Sequence, residues 1–300
     1  MHLPSIIAFF LFVPCLAQVP LEELPMIKHS ELLFIDLRLN DDPRPLHVLF
    51  DSGAGVTVVD SQVARERGLT LSGSLSIGTS GKSVQAERSL GNTIRVGEHF
   101  TLDSVELYLM DLAHLSAHYK KPIDAIIGTD LLSHAVVCTD VEAGCMRIHA
   151  REDYSYTGSG VALQASELNS GTYGLAMKVV PDGRRDTIEV LMKIDTGADN
   201  YLTFYNHAVV AHGLMREGKR YKGTTGFGAE PTITHNRKGK LTTASLAGRS
   251  WRKVPVVYQV DPVNSDSKRT CDGLIGQHLL NDFIITYDLP AGVVYLEPWK

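Results

Sequence analysis

The chain has few cysteines, no long apolar run and no excess of positive charge. Four Cys in 300 residues exclude a disulfide-dense scaffold, and the odd number left if Cys15 departs with a leader excludes full pairing. The apolar run Ile6–Val13 is far shorter than the roughly 20 residues that a bilayer-crossing helix needs. With 29 Lys and Arg against 34 Asp and Glu, the formal charge is -5, so there is no chain-wide positive field to attract nucleic acid. What is present is an ordinary globular composition, 44% hydrophobic and 21% charged. That supports a sizeable core in one large or two small domains.

The first residues, "MHLPSIIAFFLFVPCLAQVP", read as a secretory leader. The apolar run is followed by Cys15-Leu16-Ala17, with small residues at the last and third-last positions before a cut after Ala17. Pro14 before Cys15 fits a lipid-attachment signal poorly. A secreted or periplasmic protein without stable membrane insertion is therefore expected, residues 1–17 being removed. Of the remaining cysteines, Cys138 and Cys145 flank "TDVEAG" and would cross-link a hairpin if its loop is a full six residues, so that they face each other. Cys271 reads as a small buried hydrophobe. Charge is uneven in one place: Arg216 to Lys253 holds ten Lys and Arg against Glu217 and Glu230. That is either a solvated hairpin face or a wall favouring acidic substrate segments.

Two stretches repeat. "VLFDSGAGVTVVD" from Val48 and "MKIDTGADNYLTF" from Met192 both set a D-[ST]-G-A turn between apolar runs, at an offset of 144. By average residue usage such a tetrapeptide arises by chance in about one chain in a hundred of this length. A second echo, "DAIIGTDLLSHAVVCTDVEAGCMRI" from Asp124 and "DGLIGQHLLNDFIITYDLPAGVVYL" from Asp272, aligns without a gap at an offset of 148. Each half also carries a hairpin before its Asp, and a short helix closed by Gly68 or Gly213 in the C′ position. The pattern predicts two copies of one mostly β unit, residues 18–152 and 153–300, joined through "DYSYTGSGVALQ".

This arrangement, with "FDSGAG", "IDTGAD", "AIIG" and "GLIG" as its most specific parts, resembles the pepsin/retropepsin clan of aspartic peptidases. The resemblance covers both halves and implies an all-β, bilobal acid-protease fold with the two Asp loops meeting at a pseudo-twofold axis. "IDTGAD" is similar to retroviral enzymes, whereas both halves in one chain is pepsin-like, on the scale of a compact bacterial-type member. The resemblance assigns Asp51 and Asp195 as the catalytic pair. It assigns Ser52, Gly53, Ala54, Thr196, Gly197 and Ala198 as loop support, with the Ser52 and Thr196 hydroxyls bonding across to the opposite loop. Ile127-Gly128 and Ile275-Gly276 would be strands packed beneath as an apolar floor. Residues Gln18–Ser30 are too short for a pepsin-type propeptide, so no zymogen step is expected.

The residue types suit the chemistry. Metal-free amide hydrolysis needs a water between a base and an acid, and two close carboxylates sharing one proton supply both, a dyad that is a standard illustration of coupled titration. Glycines let the loops approach closely. Pepsins carry Ser or Thr where this chain has Ala54 and Ala198. Losing a hydroxyl bond to the ionised carboxylate raises its pKa, predicting a less acidic optimum than pepsin's. Flap candidates are Gly78 and Gly81 in "SLSIGTSGKSVQAERS" and Gly226, Phe227 and Gly228 in "YKGTTGFGAEPTITH". No Tyr lies between Ser74 and Gly97, where pepsin-like enzymes place one, leaving Phe227 or a paired closure.

Competing motifs fail on spacing. "SIGTSGKS" lacks the first Gly of a phosphate loop, which would fall at Ser76, and no long helix follows. His114 and His118 in "HLSAH" lack the Glu of H-E-x-x-H and a third ligand. No metal or cofactor is expected. The expected function is an aspartic endopeptidase, acting as a monomer on an extended polypeptide held by backbone hydrogen bonds. The alternatives are a catalytically silent peptide-binding module of the same fold and a narrow regulatory protease with one partner substrate. A pure binder has no need of a like-charge pair, which favours the enzyme.

Overall fold

The computed structural model describes residues 18–78, 83–152, 154–168, 171–226, 228–229, 231, 233–261 and 270–299. Residues 1–17, Gly81 and Phe227, and with them the leader and two flap candidates, lie outside the described residues.

The architecture is all-β with a few short helices, as the resemblance implied. In the first half, Leu32–Leu39 and Leu46–Phe50 form the hairpin before Asp51, pairing from Phe34 with Leu49 to Leu37 with Leu46. Side chains of a strand alternate between faces, and "LLFIDLRL" buries both: Leu33, Ile35, Leu37 and Leu39 enter the main core, Leu32 and Phe34 a second cluster. The hairpin belongs to an eight-stranded sheet in the order Ile27–His29, Leu32–Leu39, Leu46–Phe50, Ala125–Ile127, Thr57–Asp60, Phe100–Met110, Ser83–Val96, Ser74–Gly78. The second half builds a nine-stranded sheet whose main path follows the same order: Ser166–Glu167, Tyr173–Pro181, Ile188–Asp195, Gly273–Gly276, Leu202–Phe204, Pro255–Gln259, Thr234–Leu246, Lys222–Gly226. Arg249–Arg252 pairs with Thr234–Leu246 off that path. Both short helices form where predicted, Ser61–Glu66 and Asn206–Ala211, and Gly68 and Gly213 beyond them have φ of 67° and 57°.

A third, six-stranded sheet is shared by the halves. Its order is Glu22–Pro25, Cys145–His149, Val136–Asp140, Phe283–Asp288, Val293–Pro298, Val161–Gln164. The central pairing is antiparallel and sets Val137 against Tyr287, Cys138 against Thr286 and Thr139 against Ile285. Cys138 therefore faces its own counterpart at the 148 offset, so the pseudo-twofold relating the copies passes through this pair. The main apolar cluster runs continuously through both halves, with Phe50 and Tyr287 in edge contact at 6.0 Å between ring centroids.

The cysteines depart from the hairpin cross-link considered above. Asp140 pairs with Cys145, and Cys138 with Arg147. The chain turns within Val141–Gly144, so Cys138 and Cys145 are two positions out of register, and both are free thiols. Cys271 is buried, as its reading as a small hydrophobe implied.

Candidate active site

Each D-[ST]-G loop hangs from the same local scaffold. Leu46–Phe50 runs parallel to Ala125–Ile127, and the Asp51 N–H donates to the Ile127 carbonyl at 2.8 Å. In the second half Asp195 pairs in register with Gly276. After each turn the chain returns along the far side of the same short strand, Val58 against Ile126 and Leu202 against Ile275. The Ile-Gly and Leu-Ile-Gly segments expected as a floor beneath the loops are thus wedged beside them, within the sheet. Gly128 has to be glycine: a Cβ there would lie 2.1 Å from the Asp51 carbonyl oxygen, and one on Gly276 would lie 2.1 Å from that of Asn200.

The loops meet face to face. The Ser52 N–H donates to Thr196 Oγ1 at 2.9 Å and the Thr196 N–H to Ser52 Oγ at 3.2 Å. The hydroxyls continue onward, Ser52 to the Ile194 carbonyl at 3.1 Å and Thr196 to the Phe50 carbonyl at 2.8 Å. Both residues are buried, Thr196 completely, so every one of these polar groups needs its partner. Each hydroxyl thus reaches across to the other half, while the particular donors and acceptors were not specified by the sequence reading. Gly53 abuts the Asp195 carboxyl and Gly197 the Asp51 carboxyl, and an added Cβ would come within 2.5 Å and 2.3 Å of the respective Cγ atoms. The Asp51 carboxyl accepts from the Gly53 N–H at 2.8 Å and is in hydrogen-bond contact with Asp195.

The site's electrostatics follow from that contact. Burial first, and then the adjacent Asp195 charge, push the Asp51 carboxyl up to about 7; Lys193 and the Gly53 N–H oppose the rise. The direction agrees with the one argued from Ala54 and Ala198, but its leading cause is burial.

Two features escaped the sequence reading. Lys193 projects from the strand that carries Asp195, its Nζ 2.9 Å from Asp195 Oδ2 and 3.1 Å from the Gly53 carbonyl oxygen. The signal for it was the repeat itself: at the 144 offset Lys193 matches Leu49, a charge where the first copy carries an apolar residue. Tyr119, the last residue of the helix Ala113–Tyr119, reaches the dyad from the first half. Its phenol bonds the Asp199 side chain, and burial together with the Asp199 charge holds it above the ordinary phenol range. That places a Tyr by the carboxylates from a helix rather than from the first flap.

Both hairpins named as flaps exist. Gly78 pairs with Ser83 and Gly226 with Thr234 at the ends of their ladders. Ile77, Val84 and Ala229 from these hairpins pack on the same apolar cluster as Ala54, Val56 and Tyr119. The Gly228 carbonyl accepts from His114 Nε2 at 3.1 Å, so this His of "HLSAH" ties a hairpin end to a helix of the other half. Among the described residues no group of three or more His, Cys, Asp or Glu is arranged to hold a metal, and no helix is long and apolar enough to cross a membrane. In the basic stretch, Lys219 and Arg216 reach Asp182, Arg249 reaches Asp282, and Lys222 faces Lys238 directly across the hairpin, both exposed.

The fold so defined is that of the pepsin/retropepsin clan of aspartic peptidases. A family model described as aspartyl protease matches residues 35–131, which span the first loop and its scaffold. Among solved structures, the chain is similar to the aspartic proteinase from Irpex lacteus, with a TM-score of 0.54 over 92% of this chain and 97% of that one, at 11% sequence identity. No curated protein sequence matches the chain. The family match thus covers the first D-[ST]-G loop and its scaffold, and the likeness in fold runs through both halves of the chain.

Proposed function

We propose that the chain is an aspartic endopeptidase in which Asp51 and Asp195 activate a water molecule for peptide-bond hydrolysis. The observation that carries this reading is the reciprocal contact of the two loops, each glycine against the opposite carboxyl and each hydroxyl against the opposite backbone. One carboxylate takes the proton of the water as its oxygen attacks the scissile carbonyl carbon, while the protonated partner gives its proton to the carbonyl oxygen. Collapse of the tetrahedral intermediate breaks the C–N bond: the amine leaves with the proton held by the base, and a hydroxyl of the intermediate returns its proton to the carboxylate that acted as the acid, giving the product acid and restoring the one-proton pair. Nothing is left bound to the enzyme.

The proposal extends to the setting. The substrate is an extended polypeptide lying between the two hairpins, with apolar side chains flanking the cut. The enzyme works as a monomer outside the cytosol, after removal of residues 1–17, with lobes 18–152 and 153–300. Mass spectrometry of a mixed peptide library incubated with wild type, Asp51→Asn and Asp195→Asn tests the reading. Wild type should cut at many sites, and each variant should lose at least about 100-fold in rate, the lower range for a general acid or base. Variants that cut as well as wild type would overturn it. No cleavage at any pH would favour the peptide-binding alternative.

A further inference from the structure

The site is nearly symmetric, and Lys193 is where it is not. Its counterpart at the 144 offset, Leu49, is buried in the first half's second apolar cluster. The Lys193 side chain is only 18% exposed. Across the sheet it faces Gly174, which has no side chain to crowd it, and Leu274. Its ammonium bridges the two loops, to the Asp195 carboxylate of its own half and the Gly53 carbonyl of the other. A buried ammonium without a partner would cost several kcal/mol, and these two acceptors hold it in place as a cation. The other titratable groups that face it are Asp51 from the opposite loop and Tyr205 before the helix Asn206–Ala211. Tyr119 is influenced by Asp199 and by both carboxyls of the pair, and Cys271 shares a small cluster with Tyr205.

A free pair of equivalent carboxylates has no reason to place its shared proton on one member. Here one carboxylate has an ammonium against it and the other does not. We propose that Lys193 is a positioning residue that assigns the dyad's proton, holding Asp195 as the carboxylate and leaving Asp51 as the proton-bearing acid. In the peptidase reading on which this rests, Asp195 then takes the proton of the water and Asp51 protonates the carbonyl oxygen, so the two turns are equal in geometry and fixed in role. The second tie, to the Gly53 carbonyl, locks the ammonium to the loop that presses on Asp195. Lys193 thereby couples the assignment of the proton to the closure of the two halves.

The test compares kcat/KM from about pH 3 to 9 on a fluorogenic peptide for wild type, Lys193→Met and Lys193→Arg. Methionine keeps the length and removes the charge. Both limbs of its profile should move to higher pH by about one to three units, the range for an adjacent opposite charge. Arginine keeps the charge and should restore the wild-type limbs whatever its absolute rate. A Met variant slower at every pH with unmoved limbs would overturn the proposal, leaving Lys193 a packing residue. Carbon-13 NMR of wild type labelled at the Asp carboxyls, with Asp51→Asn and Asp195→Asn spectra to assign the signals, depends neither on the Lys193 variants nor on cleavage. The carboxyl that titrates near neutrality should be the one missing from Asp51→Asn. If it is the one missing from Asp195→Asn, the assignment is wrong. A wild type that cuts nothing would sink the peptidase reading, and the spectrum would still decide where the proton sits.

Discussion

A Cβ on Gly197 would lie 2.3 Å from Cγ of Asp51 and 2.4 Å from its Oδ2, closer than any carbon tolerates, and the carboxyl would have to move. It cannot move freely, because it is held by the Gly53 N–H at 2.8 Å and packed against Asp195. Gly197→Ala should therefore displace Asp51 by a large fraction of an ångström and lower kcat by about 100-fold, the scale expected for a 1 Å misplacement. Steady-state kinetics at the wild-type optimum checks this, and a variant within about threefold of wild type would show that the loop yields. This residue was legible in sequence, since a D-[ST]-G turn seldom recurs by chance between two pairs of apolar strands. Lys193 was not. Two positions before Asp195 on a strand it must share a face with that residue, but whether the face is solvent, core or the opposite loop depends on how the halves dock. Tyr119 was hidden for the same reason, lying far from either motif and meeting Asp199 only through tertiary packing.

At the scale of elements, the two hairpins, the two C′ glycines and the Ile-Gly and Leu-Ile-Gly strands were all readable from local pattern. The shared sheet was not. Val136–Asp140 and Phe283–Asp288 read as ordinary buried strands, and nothing local says that each has the other as its partner. The repeat nevertheless contained a hint, because a twofold-related antiparallel pair must match residues at the repeat offset, as Cys138 and Thr286 do. The same sheet accounts for the cysteines: a turn four residues long between Asp140 and Cys145 leaves Cys138 opposite Arg147. A denatured, unreduced sample of the chain without residues 1–17 should therefore titrate three thiols. One thiol would mean that Cys138 and Cys145 had paired and that the hairpin had slipped.

On the scale of the whole molecule, two nonidentical copies are joined by a sheet at one end and by two turns at the other, and the carboxyls meet only because both junctions form. The sheet's axis runs through Cys138 and Thr286, while the turns interlock through Ser52 and Thr196. Duplication in one chain frees the halves to diverge. The first keeps Leu49 where the second has Lys193, and the first supplies Tyr119 to a loop of the second. In the proposed peptidase reading both junctions serve a pair, Asp51 and Asp195, that acts as one group sharing one proton, and the pH dependence of kcat/KM reads that pair directly. With Asp51 held up to about 7, the monoprotonated pair is the active form below that value, and it is lost as pH rises through it. The profile should be highest in the mildly acidic to near-neutral range, fall on the alkaline side near 7, and be abolished in Asp51→Asn. A maximum near pH 2, or a rate still climbing through pH 9, would contradict a shared proton held in this way.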